Sequence, residues 1–248
     1  TLSPVLNQHE ALTDWLLVVR DVTEERELNQ MREDMTHMLV HDLRSPLGVL
    51  LGSLQTSQEW AVMQDWEALQ GVLALARQGG DRMLRMIDDI LDIYKFETGQ
   101  IPLNKQPLTA EYLFLEAKSQ MQPWAKKAEI EIALALAPEL PNFYGDQDHL
   151  GRTLQNLLDN AIKFSADNSR IEMWARLAPA GDELLMGVQD YGPGIPEEVQ
   201  DRLFQKFQRV TKGGRRRGTG LGLAYCKLVA AAHDGDIWVE SAGVAGQG

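Results

Sequence analysis

From Leu69 to Tyr94, apolar or small side chains recur in an unbroken alternation of four and three residues: Leu69, Leu73, Ala76, Gly80, Met83, Ile87, Ile90 and Tyr94. An α-helix turns every 3.6 residues, so this spacing lays one seam along one side of a helix. Such a seam is buried by interdigitating with other helices. Part of the chain is therefore expected to be a coiled coil or a four-helix bundle. A partner helix is predicted just upstream, where Leu28, Met31, Met35 and Met38 share a face in a charged stretch opening at Glu24. That helix is expected to run to about Ser57, bent or loosened at Pro46, which lacks a backbone donor. Two helices make half of a four-helix bundle, and a symmetric homodimer is the simplest way to complete it. Gly79-Gly80 costs about 1 kcal/mol per residue against alanine inside a helix. Gly80 lies on the seam, where either close approach of a facing helix or plain local weakness accounts for it.

After Glu97-Thr98-Gly99, a natural helix stop, the pattern becomes mixed α/β. Helices are expected over 109–128, 147–164, 196–206 and 220–233, and strands over 130–136, 170–177, 183–190 and 236–240. The strands 170–177 and 183–190, joined through Pro179 and Gly181, read as a hairpin. Ahead of the bundle, residues 12–20 form a short apolar strand followed by a helix entry at Asp21-Val22-Thr23. The net charge of −12 argues against a nucleic-acid partner, since phosphate backbones are held by clustered Lys and Arg. No apolar run approaches the roughly 18–20 residues that span a bilayer, so no membrane contact is expected from this segment. A lone cysteine, Cys226, excludes an internal disulfide and fits a reducing, cytoplasmic setting. Thr1 at the start and the small residues of Ala242–Gly248 at the end read as the limits of a fragment.

Four constellations carry chemistry. The first is His41-Asp42-Leu43-Arg44-Ser45-Pro46-Leu47, inside the first long helix. A neutral imidazole is a competent nucleophile near neutral pH, and an adjacent carboxylate such as Asp42 can hold its other ring nitrogen. A lone helical histidine is ordinarily surface or filler. His37 and His41 stand one turn apart, yet His37-Met38-Leu39-Val40-His41 lacks the glutamate of the zinc-peptidase pattern, which argues against a metal pair. His9, His149 and His233 have no partner pattern and read as structural. The second constellation is Asn156, Asn160 and Lys163, which share a helix face. Two amides and an ammonium on one stripe can hold hydrated Mg²⁺ and triphosphate oxygens; alone, they would read as a solvated polar face.

The third is Asp190-Tyr191-Gly192-Pro193-Gly194 after a strand. A carboxylate there can accept from an exocyclic amine such as adenine N6, and the glycines let the backbone approach the base. The fourth is Gly218-Thr219-Gly220-Leu221-Gly222, opening a helix, where free backbone N–H groups favour phosphate. Its spacing is not the dinucleotide GxGxxG, and no P-loop occurs anywhere. Just before it, Lys212, Arg215, Arg216 and Arg217 form a basic lid, with Phe204 and Phe207 expected to pin its base.

In order, these strings resemble the H, N, G1, F and G2 boxes of the two-component sensor histidine kinases, over about residues 25 to 248. The resemblance implies a multi-domain chain: an all-α dimeric helical hairpin, forming a four-helix bundle in the dimer, then an α/β sandwich of the Bergerat type. It divides the chain into 1–23, similar to the end of a PAS sensor domain and its linker, 24–100, the dimerisation and phosphotransfer hairpin, and 101–248, the catalytic ATP-binding domain. It implies ATP and Mg²⁺ as cofactors and a response-regulator receiver domain as partner. Carried over, His41 is the phosphoacceptor and Asp42 its base. Asn160 contacts Mg²⁺, Asn156 and Lys163 lie near the phosphates, Asp190 reads adenine, and Gly218–Gly222 with the lid encloses the triphosphate.

Related hydrolytic ATPases place a glutamate at the position of Asn156 to activate water. An amide cannot be a general base, so ATP should be spared for transfer. Two rival readings, a hydrolytic ATPase of the gyrase group and a catalytically silent dimeric scaffold, are disfavoured by this amide and by the complete set of boxes. Ser45 stands where dephosphorylating members usually carry Thr or Asn. Its hydroxyl can still orient water, which leaves that reverse activity open. The chain also stops before the family's usual final strand.

Overall fold

The computed structural model describes residues 2–6, 12–17, 23–63, 65–208 and 219–241, with side chains from Leu39 onward. The first elements, β1 (Leu2–Leu6) and β2 (Leu12–Leu17), pair antiparallel with an irregularity between Val5 and Leu6. Then come α1 (Thr23–Met63) and α2 (Trp66–Glu97), packed as a hairpin. The Asp65 carboxylate caps α2 by accepting from the Ala68 amide at 3.0 Å. At its far end the Thr98 amide donates to Tyr94 O, and Gly99 takes φ +65° to release the chain. The first helix runs beyond the expected Ser57 and passes through Pro46 without a break.

Pro46 is buried, and α2 makes room for it. A Cβ on Gly79 would sit 3.0 Å from the Pro46 carbonyl oxygen and 3.5 Å from the Leu50 amide. The close approach thus falls on Gly79; a Cβ on Gly80 would meet only Leu50 Cδ1, at an ordinary 3.4 Å. The seam is redistributed in the same way. The side chains of α2 buried within the chain are Ala76, Gly79, Met86 and Ile93. Leu73, Ile87 and Tyr94 of the expected seam remain exposed, at 46%, 39% and 58%. The apolar face of α2 is wider than one seam, and its hairpin partner covers only one flank.

The second half is an α/β unit. Its main sheet has the order β4 (Glu131–Leu136), β6 (Arg170–Leu177), β7 (Leu184–Gln189), with β4 parallel to β6 and β7 antiparallel to it. The expected hairpin is the β6–β7 pair. A separate antiparallel pair joins β3 (Lys105–Leu108) to β5 (Phe143–Asp146). Two amphipathic helices, α3 (Ala110–Lys127) and α4 (Gln147–Phe164), cover one face of the main sheet. On α3 the buried positions Ala110, Leu113, Phe114, Ala117, Met121 and Ala125 keep helical spacing. They pack with Leu154, Leu158 and Ala161 of α4 on Ile132, Ile171 and Met173 of the strands.

A short helix, α5 (Glu197–Gln200), continues as turns to Phe207, and α6 (Gly222–Ala232) closes the described chain. Two expectations are corrected: the helix expected over 196–206 is α5 alone, followed by turns, and the strand expected over 236–240 does not form. Residues 236–240 are not a strand: Ile237 to Glu240 have strand-like composition but no ladder partner among the described residues, and Trp238 is 54% exposed. The β3–β5 pair was not anticipated, because KQPL has no apolar alternation and includes a proline.

Candidate active site

His41 lies on α1 with its side chain 68% exposed, and its Nδ1 stands 3.1 Å from Asp42 Oδ1. The carboxylate is far less accessible, at 14%. A ring held through Nδ1–H presents the lone pair of Nε2 outward. His37 belongs to α1, but its side chain lies outside the described residues, and so do Lys212, Arg215, Arg216, Arg217 and Gly218.

Of the remaining predicted residues, all but Gly192 and Leu221 line one cavity of about 2090 Å³. Helix α4 supplies Asn156, Asn160 and Lys163; the end of β7 supplies Asp190 and Gly194; Thr219, Gly220 and Gly222 close it from the entry to α6. Asn156 Nδ2 donates to Gly222 O at 3.4 Å, and a Cβ on Gly222 would lie 3.4 Å from the Asn156 amide carbon. The Asn face and the glycine loop are therefore in direct contact. Lys163 forms an ion pair with Asp159 one turn back.

After β7 the Asp190 carboxylate accepts from the Gly192 amide at 2.8 Å, which turns the chain sharply. A Cβ on Gly192 would stand 3.0 Å from Phe164 O, so the loop is drawn against the end of α4. Ile195 N–H donates to Ser241 Oγ, and Gln200 Nε2 donates to Ile195 O and Ser241 O; the segment after α6 thus braces this loop.

Gly220 is held closely against the backbone of a neighbouring segment. It takes φ +70°, and a Cβ there would fall 2.7 Å from the Phe207 carbonyl carbon and 2.9 Å from Gln208 O. The Phe207 amide donates to Gly220 O at 2.8 Å, which ties together the described residues on either side of 209–218. Leu221 N–H is taken by Thr219 Oγ1, and α6 has no side-chain cap at its entrance. Its first amides are thereby available to an anion. Leu221 itself is buried in a second apolar cluster.

That cluster joins the two halves of the chain, and no motif announced it. Ile93 of α2 packs with Leu221, Tyr225 and Val229 of α6, flanked by Leu39, Ile90, Phe96 and Phe207. Around it runs a polar rim. Arg152 of α4 makes ion pairs with both Asp89 and Asp92 of α2, and its guanidinium stacks 4.3 Å over the Tyr225 ring. The Tyr225 hydroxyl stands 2.8 Å from His149 Nδ1, and Phe96 meets both rings edge-on. Lys206 pairs with Glu97. Burial draws Asp89 above the usual carboxylate range against the pull of Arg152, and it drives the Tyr225 phenol upward as well.

His149 and His233 each make hydrogen-bond contacts within the packed α/β unit, and His9 lies outside the described residues. His233 Nε2 accepts from the Asp146 amide at 2.9 Å, and its Nδ1 stands 2.8 Å from Val229 O. Cys226 is fully buried with its thiol pushed up to about 12, which makes it inert at physiological pH.

Two family models match the chain in tandem. Residues 31–99 match the His Kinase A (phospho-acceptor) domain, and residues 145–248 match the histidine kinase-, DNA gyrase B- and HSP90-like ATPase. The chain thus matches a phospho-acceptor domain followed by an ATPase domain. Among its relatives, the sensor protein kinase WalK of Staphylococcus aureus is 28% identical over 248 residues, covering 99% of this chain and 59% of WalK. The circadian input-output histidine kinase CikA of Synechococcus elongatus is 34% identical over 226 residues, covering 89% of this chain and 29% of CikA. The chain therefore spans under two thirds of the length of these kinases. The crystal structure of full-length ShkA in complex with AMPPNP shares the fold, with a TM-score of 0.62 and 28% identity over 87% of this chain and 43% of ShkA. The phosphoacceptor match contains His41, and the ATPase match contains the cavity residues of α4, β7 and α6. No described helix is long and apolar enough to cross a membrane.

Proposed function

We propose that this chain is the kinase portion of a two-component sensor: ATP in the α4–β7–α6 cavity phosphorylates His41, and the phosphoryl group then passes to an aspartate of a response-regulator receiver domain. The observation that carries this reading is the exposed His41 ring held through Nδ1 by Asp42, together with an ATPase-type cavity in the same chain. The Nε2 lone pair attacks the γ-phosphorus as its bond to the ADP oxygen breaks. ADP leaves, and the Nδ1 proton of the phosphoimidazole can be taken up by Asp42. Asp190 reads the adenine amine, while Asn156 and the Gly218–Gly222 loop hold the phosphates, with Lys212, Arg215, Arg216 and Arg217 closing over them. With an amide at position 156 there is no base to activate water. ShkA, crystallised with AMPPNP, supports the choice of nucleotide.

The donor chemistry fits Mg²⁺ arriving with the nucleotide. Asn160 offers a hard amide oxygen, and among the described residues no group of three His, Cys, Asp or Glu could hold a metal alone. When bound, the ion neutralises charge on the triphosphate. The exposed Leu73, Ile87 and Tyr94, with Leu47 and Leu54 of α1, are the surface on which a second copy would complete the bundle. We read β1–β2, within residues 1–23, as the close of a PAS-like sensor unit feeding the hairpin of 24–100, with 101–248 as the ATP-binding unit, all cytoplasmic.

Labelled ATP tests the reading. The label should be alkali-stable, acid-labile and absent from a His41→Gln variant. Acid-stable label, or undiminished label in that variant, would overturn it.

A further inference from the structure

The cavity has a wall that the ATPase half does not supply. Arg82, Arg85 and Asp88 of α2 line it together with Asn156 and Asn160 of α4. The contacts between the two helices fix how they run. His149 meets Phe96, and one turn on, Arg152 meets Asp92 and Asp89. Moving forward along α4 is thus moving backward along α2. Each helix advances about 1.5 Å per residue, so Asn156 and Asn160, the next two turns of α4, look across the cavity toward Arg85 and Arg82.

Charge decides what these arginines are for. Of the cavity's cations on α4, Lys163 is neutralised by Asp159, and Arg152 is shared between Asp89 and Asp92. Arg176 stacks on Trp174 at 4.6 Å, near the end of β6 remote from Asp190. Arg82 and Arg85 are exposed and have no ion pair or hydrogen bond among the described residues. They stand one turn apart on the same helix, a spacing that lets two guanidinium groups reach one phosphate.

We propose that Arg82 and Arg85 are phosphate-binding residues: they close the nucleotide site from the hairpin side and pair with the terminal phosphate of ATP. This rests on the nucleotide reading of the cavity. On this assignment recognition of the γ-phosphate depends on the docked hairpin, because the phosphate that ADP lacks is the one placed at α2. The helix that packs beside the phosphoacceptor helix then senses which nucleotide is bound.

The test measures the dissociation constants of Mg·ATP and Mg·ADP for the 248-residue chain at one fixed salt concentration. The expected result is that Arg82→Ala with Arg85→Ala weakens ATP by tenfold or more and ADP by less than threefold. Arg77→Ala, on the same helix but off the cavity, should leave both unchanged. Were the double variant to lose both ligands together, as misfolding would cause, the single Arg82→Gln and Arg85→Gln variants are read by the same ATP-to-ADP ratio. A wild-type ratio in these variants overturns the proposal while the nucleotide site stands. A wild-type chain that binds neither nucleotide overturns both.

Discussion

Asp146 ties three elements together, two through its carboxylate and one through its backbone amide. It accepts from the Asn104 amide at 2.7 Å ahead of β3 and caps α4 through His149 N–H, while its own amide donates to His233 beyond α6. Burial alone would raise its pKa, but the donors from His149 and Asn104 outweigh that and hold it below the ordinary 3.8. Its contribution is therefore complete above that ordinary value and is lost as pH falls through the lower folded one. Asp146→Ala should cost about 1–2 kcal/mol at neutral pH. Asp146→Asn should flatten the acid limb of the stability curve, read by thermal melts from neutrality to below pH 3.8. At Gly220, alanine would have to hold φ +70° against the Phe207 backbone. Gly220→Ala should weaken ATP binding about tenfold, roughly 1.4 kcal/mol, in a calorimetric titration.

At the scale of the element, α2 distinguishes two kinds of glycine. Gly79 lies against Pro46, and Gly71 has nothing within 4 Å of its would-be Cβ. Helix propensity favours alanine over glycine by about 1 kcal/mol wherever space allows. Gly71→Ala should therefore stabilise the hairpin by up to about 1 kcal/mol. Gly79→Leu should destabilise it by about 1–3 kcal/mol, because the side chain would have to push α1 away. Chemical denaturation followed by helical circular dichroism checks both, and equal effects would refute the close approach at Pro46.

Across the whole molecule, the hairpin and the ATPase half meet through a small apolar cluster rimmed by Arg152. Removing Arg152 would leave Asp89 and Asp92, with side-chain exposures of only 18% and 20%, sharing Lys95 as their remaining nearby cation, 3.9 Å from Asp92. Arg152→Ala should cost the docked arrangement about 2 kcal/mol, below a fully buried pair because the groups are partly wet. The expected readout is earlier protease cleavage between α2 and β3 with little change in the melting of the ATPase core. Unchanged cleavage would show that the apolar cluster suffices.

The ordered boxes and the heptad spacing were enough to place both long helices, the α4 and α6 nucleotide elements, the β6–β7 hairpin and the residues that converge on the cavity. These are local regularities, written in 3.6-residue and two-residue periods and in glycines where backbone must come close, so they survive in one dimension. Tertiary packing alone decided the rest. Whether Gly79 or Gly80 receives α1 depends on how α2 is rotated about its axis, since adjacent positions differ by about 100°. The β3–β5 pair joins weakly patterned segments far apart in sequence, and 236–240 lacks the neighbour that would make it a strand. The junction of Ile93, Arg152 and Tyr225, and the approach of Arg82 and Arg85 to the nucleotide cavity, follow from how two separately legible units dock. No periodicity within either unit encodes that.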